Sequence, residues 1–237
     1  MTETEQLQLY VERYFVRLNE LAELAGTDAD RIRALIAARA IPGPIYSIWP
    51  NGTFSSPIGG EHNGPAEGEA QHWYHPAAAW WIRRAASLDP EYAARQFQAK
   101  FLSDFRQALL ADPYASLGYP QAFRNGEPDD TQIDSVGIAE LNDWLDGGYG
   151  VCLRIWDGHH VVTKTCRRAG ILHLTEEGRK SLLSAEDRLT LLDTMEALDA
   201  VMLPFAPHQR PKGTPGLWLD TILARYAMGT TREVAPI

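Results

Sequence analysis

Apolar residues at helical spacing limit most strongly what this chain can fold into. Five of them recur every three to four positions between 184 and 202: Leu189, Leu192, Met195, Leu198 and Met202. This is the period of one face of an α-helix, and Ser184 with Asp187 forms a capping-box pattern at its start. Similar stripes occur at 6–16 and 77–111. The sequence therefore predicts a mainly α-helical fold with at most a small β element.

The N-terminal part contains two short helical segments separated by a glycine. Apolar residues at helical spacing run from Leu18 to Gly26, where the glycine ends the first helix. A second helix is predicted over 31–40, with Thr27 as its cap and Asp30 as the capping acid.

This helix-glycine-helix order resembles the start of the MerR-like winged-helix family. The resemblance implies a helix-turn-helix or winged-helix-like subdomain over 1–50, ahead of a helical main domain over 51–237. It also makes a DNA-binding regulator one hypothesis. However, residues 1–50 hold five Arg against seven acids. A helix-turn-helix used only for packing is the interpretation that we favour.

The charge of the whole chain excludes some partners. The 22 Lys and Arg stand against 31 Asp and Glu, which gives a net charge of −9. Since nucleic-acid binding depends mainly on neutralising phosphates, we do not expect a nucleic-acid partner. No apolar run reaches the roughly 18 residues of a membrane span. Two Cys and a start that is not apolar favour a reduced, cytoplasmic setting without a signal peptide.

A long stretch rich in Gly and Pro, residues 50–76, carries the first candidate site residues. Glu61 and His62 are flanked by glycines and could act as general base and acid. His72 and His75 are candidate ligands of a metal ion, and Trp73 between them is a candidate substrate contact. The sequence otherwise leaves the cofactor open.

The segment 144–165 leaves two structures open. Residues 151–156 alternate like a strand. Asp157 and Gly158 could then form the turn of a hairpin, which places a small β element near 150–165, or Asp157 could cap a helix. Cys152 is a candidate nucleophile, although buried cysteines are usually inert.

Two further loops supply candidate contacts. Tyr149 and Arg154 flank Cys152 and are candidate substrate-binding residues. The proline-rich loop 204–212 presents His208 as a catalytic candidate and Arg210 as a ligand for an anionic group. The chain contains no HExxH, GxGxxG, GxxxxGK[ST] or GxSxG motif, so these common sites are not expected.

Four pieces occur in one order: LIAARAIPGPIY, GEH, WLDGGYGVCLR and PFAPHQR. Together they resemble a bacterial family of unknown function that is associated with natural-product biosynthesis. The resemblance implies a small cytoplasmic protein from a biosynthetic setting and supplies no reaction.

These observations favour an enzyme that acts on a small polar metabolite. Its catalytic residues would be Glu61, His62, Cys152 and His208. A helix-turn-helix transcriptional regulator with an effector-sensing C-terminal domain is the alternative. A non-catalytic role with a partner protein or a second copy of the chain is a third.

Overall fold

Helices form most of the structure, a computed structural model that describes residues 3–207 and 209–226. The helices are α1 (Glu3–Tyr14), α2 (Leu18–Ala25), α3 (Ala29–Ala37), α4 (Ala78–Arg84), α5 (Pro90–Ala111), α6 (Ala115–Gly118), α7 (Asp130–Leu145), α8 (Gly158–Leu174), α9 (Ala185–Val201) and α10 (Thr221–Arg225). Short 3₁₀ turns cover Pro120–Ala122 and Arg210–Lys212, and a π-helical turn covers Gly216–Asp220. The predicted class, mainly α with a small β element, is confirmed.

The small β element lies earlier in the chain than predicted. Four antiparallel strands, β1 (Tyr46–Ile48), β2 (Phe54–Ser56), β3 (Gly60–His62) and β4 (Gln71–Trp73), form a sheet in the order β3-β2-β1-β4. Ser47 is opposite Ser55 and His72 in this register. Each strand has three residues, too few for an alternating pattern. The Gly and Pro content of 50–76 predicts a stretch without regular structure, and this prediction is wrong for β2, β3 and β4.

The region 150–165 contains no hairpin, so the β element predicted there was wrong. Helix α8 begins at Gly158, and the side chain of Asp157 accepts a hydrogen bond from the His160 backbone N–H at 2.8 Å. Residues 151–156 contribute one isolated bridge, between Leu153 and Met202. The helical alternative at Asp157 is the correct one.

Two smaller helix predictions need correction. The start of α9 follows the prediction, because Ser184 Oγ accepts from the Asp187 N–H at 3.0 Å. Its buried face is rotated, however, so that Leu191 is buried while Leu189 is 66% exposed. The sequence also predicts a helix over 174–183, and the structure has none there beyond the end of α8. α8 ends at Leu174, and positive φ angles follow at Glu176 and Glu177.

The sequence predicts a loop over 112–131 and a helix that begins at Ile138, and the structure differs from both predictions. Strands β5 (Phe123–Arg124) and β6 (Glu127–Pro128) pair antiparallel. Helix α7 starts at Asp130, eight residues before the predicted position.

The N-terminal helices pack into the same interior as the rest of the chain. α2 contacts α4, and α3 contacts α5, while buried side chains from Leu7 to Tyr226 form one cluster. Gly26 ends α2 with φ 68°. The cap of α3 is Asp28, which accepts from the Arg31 N–H at 2.7 Å, and not the predicted Thr27. The division of the chain at residue 50 stays a prediction.

Within residues 3–207 and 209–226, no helix has both the length and the apolar character needed to cross a membrane.

Candidate functional site

Three of the four sequence motifs that carry the family resemblance meet around Cys152. They are LIAARAIPGPIY, WLDGGYGVCLR and PFAPHQR. The Leu203 N–H donates to the Cys152 carbonyl and the Arg154 N–H donates to the Val201 carbonyl, both at 3.0 Å. These bonds hold the segment 151–154 against the chain that leaves α9. The Tyr46 hydroxyl contacts Gln209 Oε1 at 3.5 Å, which brings the end of the first motif to the same place.

Glycine permits the close approach of the first motif to this segment. A Cβ at Gly150 would lie 2.3 Å from Ile45 Cδ1, a distance that real side chains do not adopt. A larger residue would therefore force the segment 149–152 away from Ile45. Gly150 of the WLDGGYGVCLR motif is thus required for packing, whereas Gly147 has a φ of 84°, a backbone conformation that favours glycine.

Cys152 has the side-chain nitrogen of a lysine beside its sulfur. Lys164 Nζ lies 3.0 Å from Cys152 Sγ, and it also lies 5.2 Å from the centre of the Tyr149 ring. Cys152 is 2% exposed, whereas Lys164 on α8 and Tyr149 are half-buried. The sulfur therefore lies just beneath polar side chains that reach the surface.

A carboxylate and two tyrosines continue this polar group. The Tyr149 hydroxyl donates to Glu140 Oε2, and Tyr119 is a second hydroxyl beside Glu140. Burial raises the pKa of Glu140, while the hydroxyls of Tyr149 and Tyr119 act in the opposite direction. Burial and the neighbouring Glu140 carboxylate raise the pKa of Tyr149. We call Cys152, Lys164, Tyr149, Glu140 and Tyr119 the Cys152 cluster.

The two arginines predicted to bind the substrate have partners inside the chain. Arg210 forms a bidentate ion pair with Asp220, with Nε–Oδ2 and NH2–Oδ1 distances of 2.8 and 2.7 Å. Burial raises the pKa of Asp199, and the charges of Arg154 and Arg210 oppose this effect. Both arginines thus face aspartates, and an anionic ligand would have to compete for them.

The predicted histidine metal pair is divided between two environments. His75 is 2% exposed, its Nδ1 accepts from the Ala77 N–H at 3.0 Å, and its ring centre lies 4.7 Å from that of Trp156. Burial lowers the pKa of His75 to about 3. His72 is exposed, with Nδ1 2.9 Å from Ser47 Oγ. The described residues contain no group of three or more His, Cys, Asp or Glu side chains arranged for a metal ion.

The remaining candidates lie apart from Cys152 or outside the described residues. Trp73 is buried in the core, with the Arg17 guanidinium 3.8 Å above its ring. Glu61 and His62 belong to β3, an edge strand, where the His62 ring stacks on Phe54 at 4.8 Å. His208 lies outside the described residues.

Lys164, Glu140 and Tyr119 were missed by the sequence analysis. Lys164 is twelve residues from Cys152, and its approach depends on the helical course of α8, which the sequence left open. Glu140 stands between apolar residues of α7, where an acid is ordinarily a solvent-facing residue. The only sequence signal for Glu140 is its position on a long amphipathic helix, α7, which would bury it in part.

A groove of about 630 Å³ lies elsewhere on the molecule. Residues of α1 and of the chain around the sheet line it, among them Gln8, Leu9, Trp49 and Gln71. Its volume suits a small molecule, but the reactive side chains described above belong to the Cys152 cluster.

Comparison with known proteins gives a family and no activity. The family DUF6058, a family of unknown function, matches residues 94–227, more than half of the chain. The chain belongs to this family. No curated protein and no solved structure matches it. The DUF6058 part contains all five members of the Cys152 cluster, whereas Glu61, His62, His72, Trp73 and His75 precede it.

Proposed function

We propose that this protein is an enzyme of natural-product biosynthesis that acts on a small polar metabolite in the cytoplasm, with Cys152 as nucleophile and Lys164 as its proton partner. The observation that carries the proposal is the 3.0 Å contact between Lys164 Nζ and Cys152 Sγ. An amine beside a thiol is an arrangement that activates sulfur for covalent catalysis.

The reaction class that suits this pair is acyl transfer. The sulfur forms a bond to the carbonyl carbon of the substrate, and the thiol proton is held on Lys164 Nζ. The bond to the leaving group breaks, and the leaving group takes that proton. Attack by water on the resulting thioester, with Lys164 again carrying the proton, releases the acid and restores the thiol.

In this proposal Glu140 and Tyr149 bind the polar part of the substrate. Both are half-buried, and the Tyr149 hydroxyl donates to the Glu140 carboxylate. Because Cys152 is 2% exposed, a substrate reaches the sulfur only when the flexible Lys164 side chain moves aside. This arrangement favours a small substrate.

The test uses p-nitrophenyl acetate as an acyl donor and the two cysteines as a matched pair. We expect release of p-nitrophenolate together with one acetyl group on Cys152 in peptide mass spectra. Cys152→Ala should lose both signals, and Cys166→Ala should keep both. Acetylation that avoids Cys152 in the wild-type chain, or release that survives Cys152→Ala unchanged, would refute the proposal.

The DNA-binding regulator ranks second, because the arginines of its second helix have partners within the chain. Arg31 donates to the carbonyls of Ala85 and Leu88. Arg33 pairs with Asp30, and Arg39 with Asp146 at 2.9 Å. Reading DNA would require α3 to release these contacts.

A further inference from the structure

We propose that Cys152 and Lys164 are a modification site, at which hydrogen peroxide joins the two side chains through a reversible sulfur–nitrogen crosslink. The crosslink follows from the geometry of the pair. Its consequence, that oxidation switches the enzyme off, rests on the proposed function.

The fold fixes the backbone of both partners. The Cys152 N–H donates to the Tyr149 carbonyl at 3.2 Å, and its own carbonyl accepts from Leu203 at 3.0 Å. Lys164 extends from the middle of α8, between the buried residues Val161 and Cys166. The fixed backbone positions put Sγ within reach of the flexible lysine side chain, which brings Nζ to 3.0 Å from it, and bond formation needs only a small further movement of that side chain.

The chemistry balances with one equivalent of peroxide. The Cys152 thiol reacts with hydrogen peroxide to give the sulfenic acid and water, so that sulfur is oxidised and the peroxide is reduced. The Lys164 amine then attacks the sulfenic sulfur. The sulfur–nitrogen bond forms, the sulfur–oxygen bond breaks, and the leaving hydroxide takes a proton from nitrogen and departs as water. A dithiol reductant restores the thiol and the amine.

Burial favours the crosslink over the usual fate of a sulfenic acid. Cys152 is 2% exposed, which shields the sulfur from bulky thiols while it lies in contact with Lys164. Peroxide is small and uncharged and can reach the sulfur when the lysine moves.

The second cysteine is an internal control. Cys166 is fully buried, and burial together with Asp112 raises the pKa of its thiol to about 12. Thiols in this state react slowly with peroxide. We therefore expect oxidation to discriminate between two buried cysteines of one chain.

The experiment is peptide mapping of the full chain after stoichiometric peroxide. In the wild-type chain, the crosslink should join the tryptic peptide that ends at Arg154, through its Cys152, to the peptide that begins at Ile155, through its Lys164. Trypsin should not cleave after the modified Lys164. The joined species should weigh about 2 Da less than its parts and should separate in dithiothreitol.

Two variants decide between the possible partners of Cys152. Cys166→Ala should retain the joined peptide, which excludes a disulfide between the cysteines. Lys164→Met, which keeps the length of the side chain, should lose it. A joined peptide with one additional oxygen, formed with a second peroxide and release of water, supports the same pairing. Equal amounts of sulfinic acid at Cys152 in the wild-type chain and in Lys164→Met, or a joined peptide lost in Cys166→Ala, would overturn the proposal.

The ester assay keeps this proposal separate from the proposed function. If the crosslink forms and the reduced chain shows no turnover of p-nitrophenyl acetate at Cys152, the modification site stands and the enzyme proposal fails. If turnover depends on Cys152 and no crosslink forms, the enzyme proposal stands and the modification site fails. If both hold, peroxide should abolish turnover and dithiothreitol should restore it.

Discussion

At Gly158 the backbone of α8 lies close against that of α5, and Gly158→Ala tests that contact. A Cβ at this position would lie 2.3 Å from the Phe101 carbonyl oxygen and 2.5 Å from the Phe105 nitrogen. Both are backbone atoms within α5, so no side chain can rotate to make room. The two helices would have to separate, or α8 would have to begin later.

Two effects of opposite sign decide the outcome. Helix propensity alone favours Ala over Gly by up to about 1 kcal/mol. Overpacking a closely packed site costs about 1–3 kcal/mol, occasionally more, and a contact of 2.3 Å with backbone belongs to the upper end. We expect a net loss of about 1–2 kcal/mol or more, and each kcal/mol lowers the Tm of a chain of this size by about 2–4 °C.

The assay is thermal and urea unfolding followed by circular dichroism, with Gly43→Ala as the matched control. A Cβ at Gly43 meets Ile36 Cγ2 at 3.7 Å, an ordinary contact, so this variant should be neutral or slightly stabilised because Ala restricts the unfolded chain. A Gly158→Ala protein as stable as the wild type would refute the close packing of α8 on α5.

Three further predictions concern charged groups. Burial acts to raise the pKa of Asp157, but its bonds to His160 outweigh this and lower it; the carboxylate therefore stabilises the fold above the ordinary Asp pKa. The advantage of the wild type over Asp157→Asn, which keeps the cap oxygen, should disappear in urea titrations as the pH falls from the ordinary Asp pKa to the lowered pKa of the folded chain, and a pH-independent difference would contradict this. The pKa of Glu140 is raised, so its effect on stability has the opposite pH dependence. The free energy of unfolding of the wild type relative to Glu140→Gln should fall as the pH rises above the ordinary Glu pKa, and a difference that does not change with pH would contradict this. Arg31→Met removes two hydrogen bonds to backbone carbonyls and should cost about 1–3 kcal/mol in urea unfolding, whereas Arg33→Met on the surface should stay within about 0.5 kcal/mol; equal losses would refute the structural role of Arg31.

The helices could be predicted where local signals agree. α5 begins with Asp89 as cap and Pro90 at its first position, and its predicted apolar stripe is buried from Phe97 to Leu109, although Tyr92 at its start is 46% exposed. At Asp157 the local signals conflict, because β-branched residues favour a strand and an Asp cap favours a helix. The close packing of Gly158 against α5 fits the helix and not the hairpin. This contact joins residues more than fifty positions apart in the sequence, so no local pattern reports it.

The candidate site could be predicted in part. Cys152 and Tyr149 belong to a motif that the sequence displays, and hydrogen bonds join that motif to the loop after α9. Lys164 carries no motif, and its role depends on the register of α8. Arg210 was interpreted as a free cation because its partner, Asp220, reaches it only through the turns that follow.

The most direct test of the account is site-resolved alkylation of the native chain by iodoacetamide, followed by mass spectrometry over time. We predict that Cys152 is labelled well before Cys166, that Lys164→Met slows labelling of Cys152 without changing Cys166, and that Lys164→Arg restores part of the rate. Labelling of both cysteines only when the chain unfolds, or an unchanged rate at Cys152 in Lys164→Met, would contradict the claim that Lys164 activates this sulfur.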